Sequence, residues 1–250
     1  MSTYVLIHGA WHGGWCWARV AARLRALGHT VHTPTLAGMG EHAHLLSRQI
    51  TLDTHVEDVV SHFETEEIRD AILVGHSYGG LIVTGAADRL DGTGAISRLV
   101  YLDAVVPADG DHWTAFHSPE AAQARHAAAR DRGGALFLPP PDAAVFGLTD
   151  PADLAWVARR LRPHPYGCYL VPLRLPRLAA GAGAAALPRT YIDCVEPFYS
   201  DFMGLKQRLK ADPAWQYVEL RTGHNAMVSA PDALTGLLCA PHVPRKETTA

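Results

Sequence analysis

The chain has 250 residues, 48% of them hydrophobic, and a formal net charge of −3. That length and apolar content suit one large domain, alone or with an insertion, and argue against two independent domains. The small net charge leaves no electrostatic footprint for nucleic acid or an anionic membrane, so a small molecule is the expected partner. The oligomeric state stays open, a homodimer included.

Cysteine usage and the first residues of the chain favour a cytoplasmic protein. Four cysteines are widely scattered, with no C-x-x-C pair and no zinc-ligand spacing: Cys16, Cys168, Cys194 and Cys239. They are expected to be buried free thiols, which suits a reducing compartment. The apolar pattern at residues 4–7 follows Met1 too closely for a signal peptide. No apolar stretch reaches the roughly 18 residues that a membrane helix needs.

Fifteen histidines raise the question of a metal site. The pairs that come closest to a ligand spacing are His8 with His12 and His42 with His44. His8 and His12 fall in a glycine-rich loop, and no H-x-x-x-H pair lies on a convincing helix with an acidic partner. We therefore expect neither a metal nor an organic cofactor.

Short apolar runs alternate with helical patterns along the chain, which is typical of β-α-β units around a parallel sheet. Six strands are predicted, at residues 4–7, 30–33, 71–74, 99–102, 190–194 and 216–220. A first helix is predicted at residues 15–27, ended by Gly28, and a second at residues 52–63, capped by Thr51 or Asp53.

The repeating pattern breaks over residues 107–187, where proline, alanine and arginine dominate. This segment is predicted to be a cap insertion, and residues 1–106 and 188–240 are predicted to form the core. Residues 241–250 are polar and are expected to fray.

Two short helices are predicted inside the insertion, at residues 119–132 and 151–160. Asp150 precedes a proline at the start of the second helix, which is a helix N-terminal signal. Residues 181–186 read GAGAAA and are expected to form a flexible connection back to the sheet.

Residues 75–79 read GHSYG and follow the apolar strand pattern at residues 71–74. G-x-S-x-G between a strand and a helix is typical of a nucleophile elbow, in which a serine occupies a strained turn. Gly75 and Gly79 have no side chains to obstruct the close approach of strand and helix. Ser77 is therefore predicted to be a nucleophile. The alternative is a tight connection in which Ser77 only caps the following helix.

A serine nucleophile needs a base and donors for the developing oxyanion. His224 is the predicted base, because it follows the last predicted strand and comes after Ser77 in the chain. The backbone N–H groups of Tyr78 and of Ala10, in the loop after the first strand, are the predicted oxyanion donors. The competing interpretations are an exposed loop histidine and a glycine-rich turn.

Four segments together resemble the α/β-hydrolase superfamily: VLIHGAWHGGWCW, VGHSYGG, LVYLDAVVP and ELRTGHNAMVSAP. They are similar to its small branch of plant methylesterases, hydroxynitrile lyases and bacterial carboxylesterases. The resemblance implies an α/β-hydrolase fold, with a six-stranded, mainly parallel sheet flanked by helices and a helical cap over the active site. It also implies that Ser77 is the nucleophile, His224 the base, and Ala10 and Tyr78 the oxyanion donors.

The sequence leaves open which carboxylate orients the base. Relatives usually place an aspartate just after the penultimate strand, where this chain has Glu196 and then Pro197. Glu196 could still serve, because its longer stem could make up the displacement. Asp103 closes the fourth predicted strand, a position that some lipases of the superfamily use for their acid. Asp201, or no acid at all, is the remaining alternative.

The expected reaction is cleavage of a carboxylic ester of a hydrophobic small molecule through an acyl-enzyme, with thioesters and lactones as variants. Cyanohydrin cleavage is disfavoured, because lyases of this branch carry a threonine and a lysine where this chain has Gly9 and Asn225. A non-hydrolytic enzyme of the same fold (a cyclase, lyase or decarboxylase) and a ligand-binding pseudo-enzyme are the alternatives. Trp11 and Phe116 are the predicted pocket residues.

Overall fold

The computed structural model describes residues 1–197 and 202–242. Its strands are β1 (Thr3–Ile7), β2 (Thr30–His32), β3 (Ala71–His76), β4 (Ile96–Leu102), β5 (Phe137–Leu138), β6 (His164–Pro165), β7 (Arg189–Cys194) and β8 (Trp215–Leu220). Six of them form one sheet in the order β2-β1-β3-β4-β7-β8. Every neighbouring pair in this sheet is parallel. The α/β-hydrolase fold and the six-stranded sheet expected from the sequence are therefore confirmed.

Helices connect the strands and cover the sheet. They are α1 (Ala18–Ala26), α2 (Leu52–Thr65), α3 (Gly79–Arg89), α4 (Pro119–Asp131), α5 (Pro151–Ala158), α6 (Gly167–Leu170), α7 (Pro176–Ala179), α8 (Met203–Ala211), α9 (Ala226–Ser229) and α10 (Pro231–Cys239). Helix α1 packs against α10, and α2 packs against α3. No helix among residues 1–197 and 202–242 is long and apolar enough to cross a bilayer.

The central strands read as continuous apolar runs because both faces of the sheet are covered. Strand β1 is buried at four of its five positions, and β3 at five of its six. Strand β1 lies between β2 and β3 in the sheet. After β1 the chain forms β2 toward one edge of the sheet, and it then crosses back to form β3 on the other side of β1. Ligands of open α/β sheets bind beyond the carboxyl ends of the strands at such a switch point. The loop after β1 and the turn after β3 meet there.

The capping residues expected from the sequence lie at the helix ends. Thr51 caps α2 in a reciprocal arrangement with Thr54, and the side chain of Asp150 accepts a hydrogen bond from the backbone of Asp153 at the start of α5. Gly28, with a φ of +85°, follows the end of α1. The predicted first helix is interrupted, because its first turn is a 3-10 helix, Gly14–Trp17.

The segment of residues 181–186 is not a flexible connection. Gly183–Ala185 forms a 3-10 helix that packs against α3, and Gly183 and Ala184 are buried. The backbone N–H of Gly183 donates to the carboxylate of Asp91 at 3.1 Å. A side chain on Gly183 would approach the Cα of Asp88 to 3.2 Å. Small residues here permit close packing, which composition alone suggests only as flexibility.

The insertion also contains a pair of strands that the sequence did not indicate. Strands β5 and β6 are antiparallel and only two residues long, and one of these residues is Pro165. Such short strands carry no alternating pattern. The division into core and cap stays a prediction, and residues 243–250 of the expected frayed tail lie outside the described residues.

Candidate active site

The turn between β3 and α3 holds Ser77 in a strained backbone conformation. Its φ is +54°, in the left-handed region that residues with a side chain rarely adopt. A side chain on Gly75 would approach the carbonyl oxygen of Gly79 to 2.7 Å. One on Gly79 would lie 3.0 Å from the carbonyl oxygen of Ile7. Ser77 remains partly exposed, whereas both of its neighbours are buried. This is the geometry expected of a nucleophile elbow.

Backbone hydrogen bonds fasten this turn to the end of β4. The N–H of Ser77 donates to the carbonyl of Leu102 at 3.2 Å, and its own carbonyl accepts from Val105 at 3.2 Å. Between these two partners lies Asp103, whose φ is +43° and whose N–H donates to Ile192 at 2.8 Å. The elbow and the acid candidate are thus held by the same stretch of chain.

His224 and Asp103 are in direct contact. Nδ1 of His224 lies 2.6 Å from Oδ2 of Asp103, and the two side chains are 2% and 0% exposed. A carboxylate only accepts hydrogen bonds, so Nδ1 carries the proton and Nε2 of the neutral ring is left as its basic nitrogen. The carbonyl of His224 accepts from Nε2 of His76, which lies next to Ser77, at 3.0 Å. The predicted nucleophile, the predicted base and Asp103 are therefore brought together.

Glu196 lies elsewhere. Its carboxylate is 62% exposed and forms an ion pair with Arg221 at 3.0 Å. Of the two carboxylates that the sequence left open, Asp103 is the one on His224. Asp201, the further alternative, lies outside the described residues.

The loop after β1 reaches the elbow. A side chain on Gly9 would come within 3.0 Å of Cβ of Ser77, so the backbone of this loop lies against the serine. Ala10 follows Gly9 directly, and Tyr78 stands at the N-terminal end of α3, where backbone N–H groups carry partial positive charge. Both predicted oxyanion donors are therefore next to Ser77.

Two buried histidines support this arrangement. The sequence indicated His12 only as half of a possible metal pair and did not single out His76. Burial lowers the pKa of His12 to about 4 and that of His76 well below its ordinary value, so both rings are neutral near pH 7. Nδ1 of His12 donates to the carbonyl of Ala10 at 2.7 Å. The His76 ring lies 4.6 Å from the His224 ring. His12 lies two residues after Ala10 and His76 directly precedes Ser77, and these positions were the only signal in the sequence.

The predicted pocket residues line two cavities whose lining residues do not include Ser77 or His224, and each cavity has one phenylalanine whose ring lies near that of His224. Trp11 and Phe146 line a cavity of about 590 Å³, and Phe146 stacks on His224 with ring centroids 6.1 Å apart. Phe116 and Phe202 line a second cavity of about 580 Å³, and the Phe202 ring lies 6.3 Å from that of His224. The predicted pocket residues therefore belong to different cavities.

The comparisons with known proteins agree with this fold. The model of the alpha/beta hydrolase family matches residues 4–237. A carbendazim hydrolyzing esterase from Nocardioides sp. (strain SG-4G) is 43% identical over 250 residues, covering 96% of this chain and 99% of that protein. Methyl jasmonate esterase 1 from Vitis vinifera is 31% identical over 175 residues, 64% of this chain and 66% of that protein.

Solved structures share the architecture at lower identity. An extracellular α/β-hydrolase from a Paenibacillus species superimposes with a TM-score of 0.78 at 23% identity, covering 95% of this chain and 98% of that one. Polyneuridine aldehyde esterase superimposes with a TM-score of 0.75 at 20% identity, with coverages of 95% and 98%. The match of the family model over most of the chain and the close relative of nearly equal length lead to one conclusion: this chain belongs to the α/β-hydrolase family.

Proposed function

We propose that the protein is a serine hydrolase that cleaves a carboxylic ester of a hydrophobic small molecule through an acyl-enzyme. The observation that carries the proposal is the 2.6 Å contact between His224 and Asp103 beside the strained, partly exposed Ser77. A base that is oriented by a carboxylate next to a serine is the arrangement that activates a hydroxyl for attack on a carbonyl.

In the proposed reaction, Oγ of Ser77 attacks the ester carbonyl carbon while Nε2 of His224 takes the hydroxyl proton. The N–H groups of Ala10 and Tyr78 stabilise the negative charge that develops on the carbonyl oxygen. The imidazolium then gives its proton to the leaving alkoxide as the bond between the carbonyl carbon and that oxygen breaks. His224 then takes a proton from a water molecule, which attacks the carbonyl carbon of the acyl-enzyme. The imidazolium gives this proton to Oγ of Ser77 as the bond between Oγ and the carbonyl carbon breaks, and the acid is released.

The expected substrate is a small organic ester with an apolar portion. Relatives named as a carbendazim hydrolyzing esterase and a methyl jasmonate esterase support this class. The cavities lined by Trp11 and Phe116 offer apolar and aromatic surfaces, as small-molecule sites usually do, and one phenylalanine of each lies near the His224 ring. Thioesters and lactones offer the same carbonyl electrophile and are the nearest variants.

Replacing Ser77 tests the proposal. With p-nitrophenyl esters of increasing chain length, Ser77→Ala should lower kcat/KM by roughly 10⁴-fold or more, because no other group supplies the nucleophile. Ser61→Ala is the matched control, because Ser61 is an exposed serine on α2 and should keep full activity. An alkyl fluorophosphonate should label the unaltered protein at Ser77.

Two results would contradict the proposal. Turnover that persists without phosphonate labelling of Ser77 points to chemistry in which His224 acts as a base and no acyl-enzyme forms. Tight binding of esters without any turnover points to a ligand-binding protein.

We also propose that the protein is cytoplasmic and that it forms a homodimer. All four cysteines are free thiols, as a reducing compartment permits. Cys16, Cys168 and Cys194 are buried as expected, but the expectation was wrong for Cys239, which is exposed. Light scattering of the purified protein measures the oligomeric state directly.

A further inference from the structure

A buried lysine lies behind the acid of the site. Lys206, on α8, is 3% exposed, and its Nζ lies 2.6 Å from Oδ1 of Asp103 and 2.7 Å from Oδ1 of Asp193. The hydroxyl of Tyr217 donates to Oδ2 of Asp193 at 2.5 Å. The contacts form a chain from His224 through Asp103, Lys206 and Asp193 to Tyr217. Each carboxylate uses Oδ1 for the lysine, and Oδ2 accepts from Nδ1 of His224 in Asp103 and from the hydroxyl of Tyr217 in Asp193.

The energetics show that this lysine stays charged. A buried ammonium is costly unless carboxylates compensate it. Burial by itself lowers the pKa of Lys206, but the two aspartates outweigh this effect and raise the pKa above its ordinary value. One cation between two anions leaves a net charge of about −1 on the cluster at neutral pH. Asp103 is the member of this cluster that contacts His224.

Among residues 1–197 and 202–242, the following other titratable groups around His224 and Asp103 are neutral near pH 7. On the side of the elbow and the first loop, burial lowers the pKa of both His76 and His12. On the side of β7, burial raises the pKa of the Tyr191 hydroxyl and of the Cys194 thiol. Burial also raises the pKa of Tyr217 on β8. In the part of the chain that the structure describes, the charges near the base are therefore those of Asp103, Lys206 and Asp193.

We propose that Lys206 and Asp193 are positioning residues for the reaction at Ser77. Lys206 holds Oδ1 of Asp103, so that Oδ2 stays on Nδ1 of His224. Asp193 balances the lysine, because Lys206 paired with Asp103 alone would neutralise the carboxylate that must stabilise the imidazolium. The inference rests on the proposed function, in which His224 is the base.

The test uses three variants and a control on the same helix. They are Lys206→Met, Asp193→Asn, the double variant, and Lys210→Met. Lys210 lies one turn after Lys206 and forms an ion pair with the exposed Glu219. For each protein, kcat and KM are measured against pH with a p-nitrophenyl ester, and folding is checked by thermal unfolding. The acid limb of the kcat/KM profile reports protonation of the base in the free enzyme.

Each variant has its own expected result. Asp193→Asn leaves the full charge of Lys206 on Asp103, so protonation of the base becomes harder and the acid midpoint should fall by about one pH unit. Lys206→Met should lower kcat by roughly 10–100-fold with little change in KM, as loss of a partner that orients an active-site ligand does. The double variant removes one charge of each sign, so its acid midpoint should return close to that of the unaltered protein. Lys210→Met should change nothing.

An unchanged or raised midpoint in Asp193→Asn overturns the proposal. So does full kcat in a folded Lys206→Met, or an equal shift in Lys210→Met. If Lys206→Met does not fold, the midpoints of Asp193→Asn and the double variant decide. The same midpoint is read from the pH titration of the His224 ring resonances in Ser77→Ala. If Asp193→Asn shifts this midpoint but the protein with Ser77 intact turns over no ester, the charge balance is supported and only the proposed function is contradicted.

Discussion

The carboxyl edge of the sheet and the insertion hold their residues by different means. At the edge, the backbone itself is strained and fixed: Ser77 and Asp103 have positive φ values of +54° and +43°, and main-chain hydrogen bonds join them to β4 and β7. In residues 107–187, the predicted insertion, short elements are joined by ring contacts as well as by main-chain bonds such as those that pair β5 with β6, and the rings of Trp113 and Tyr169, for example, have centroids 5.0 Å apart.

This difference teaches where precision and adaptability lie. Chemistry that depends on a few tenths of an ångström is expected at the rigid edge, since strain persists only where the surroundings fix it. A surface built from side-chain contacts can change its shape with fewer consequences for the fold. The edge should therefore control kcat, and the insertion should control KM.

The largest expected effect is at the edge. Asp103→Asn keeps the shape of the side chain but changes what it offers to His224, so it should lower kcat by roughly 10⁴-fold, as loss of the tautomer does in serine hydrolases. Glu196→Gln is the matched control, because Glu196 pairs with Arg221 at the surface. Its kcat should stay within about twofold of the original. Steady-state kinetics with one ester measures both, and the reverse result would make Glu196 the acid.

Much of this edge was predictable from the sequence, because its signals are local. The elbow glycines, the apolar strand before Ser77 and the histidine after the last strand all lie within a few residues of the group that they place. The choice between Asp103 and Glu196 was not predictable. It depends on the path of the chain after β4, where the N–H of Asp103 binds Ile192 across the sheet.

The burial of Lys206 and the strands of the predicted insertion could not be predicted from the sequence either, for a different reason. Lys206 and Lys210 lie one turn apart in the same helix and look alike in sequence, yet one is buried between two aspartates and the other pairs with an exposed glutamate. Only packing of α8 against the sheet separates them. The two-residue strands β5 and β6 likewise exist through pairing, with no periodic pattern of their own.

An intermediate effect concerns stability in acid. Burial lowers the pKa of His8 to about 3 and that of His12 and His55 to about 4. Below pH about 6.5, these histidines take up protons in the unfolded chain but not in the folded one, so stability falls as pH falls. Between pH 7.5 and 5.5, each should remove about 1.4 kcal/mol, about 4 kcal/mol together.

Urea unfolding at the two pH values measures this loss. His55→Gln should make the loss of unfolding free energy between the two pH values smaller by about 1.4 kcal/mol, whatever it does to stability at pH 7.5. His44→Gln, at an exposed position, should leave the loss unchanged. In the insertion, His164 is also fully buried and its pKa is lowered by burial, so His164→Phe should reduce the loss as well. A free energy of unfolding that is independent of pH in this window would contradict the neutral state of these rings.

The smallest expected effect belongs to the insertion. Phe116 lines a cavity together with Phe202, whose ring lies 6.3 Å from that of His224, and the residues that line this cavity do not include Ser77, His224 or Asp103. Removing its ring should cost part of the apolar contact with a substrate, about 1.4 kcal/mol, which is a tenfold rise in KM. We expect Phe116→Ala to raise KM by about that factor for long-chain p-nitrophenyl esters, and to leave kcat within about threefold.

The dependence on chain length separates binding from damage to the site. The rise in KM should grow from the acetate to the longer esters, because only the longer chains reach the removed ring. Leu170→Ala provides the control, since Leu170 is a large apolar residue of the insertion that is 50% exposed. It should leave both constants unchanged. A uniform fall in kcat across all esters would mean that the insertion holds the catalytic groups in place, and the division between the two regions would then be wrong.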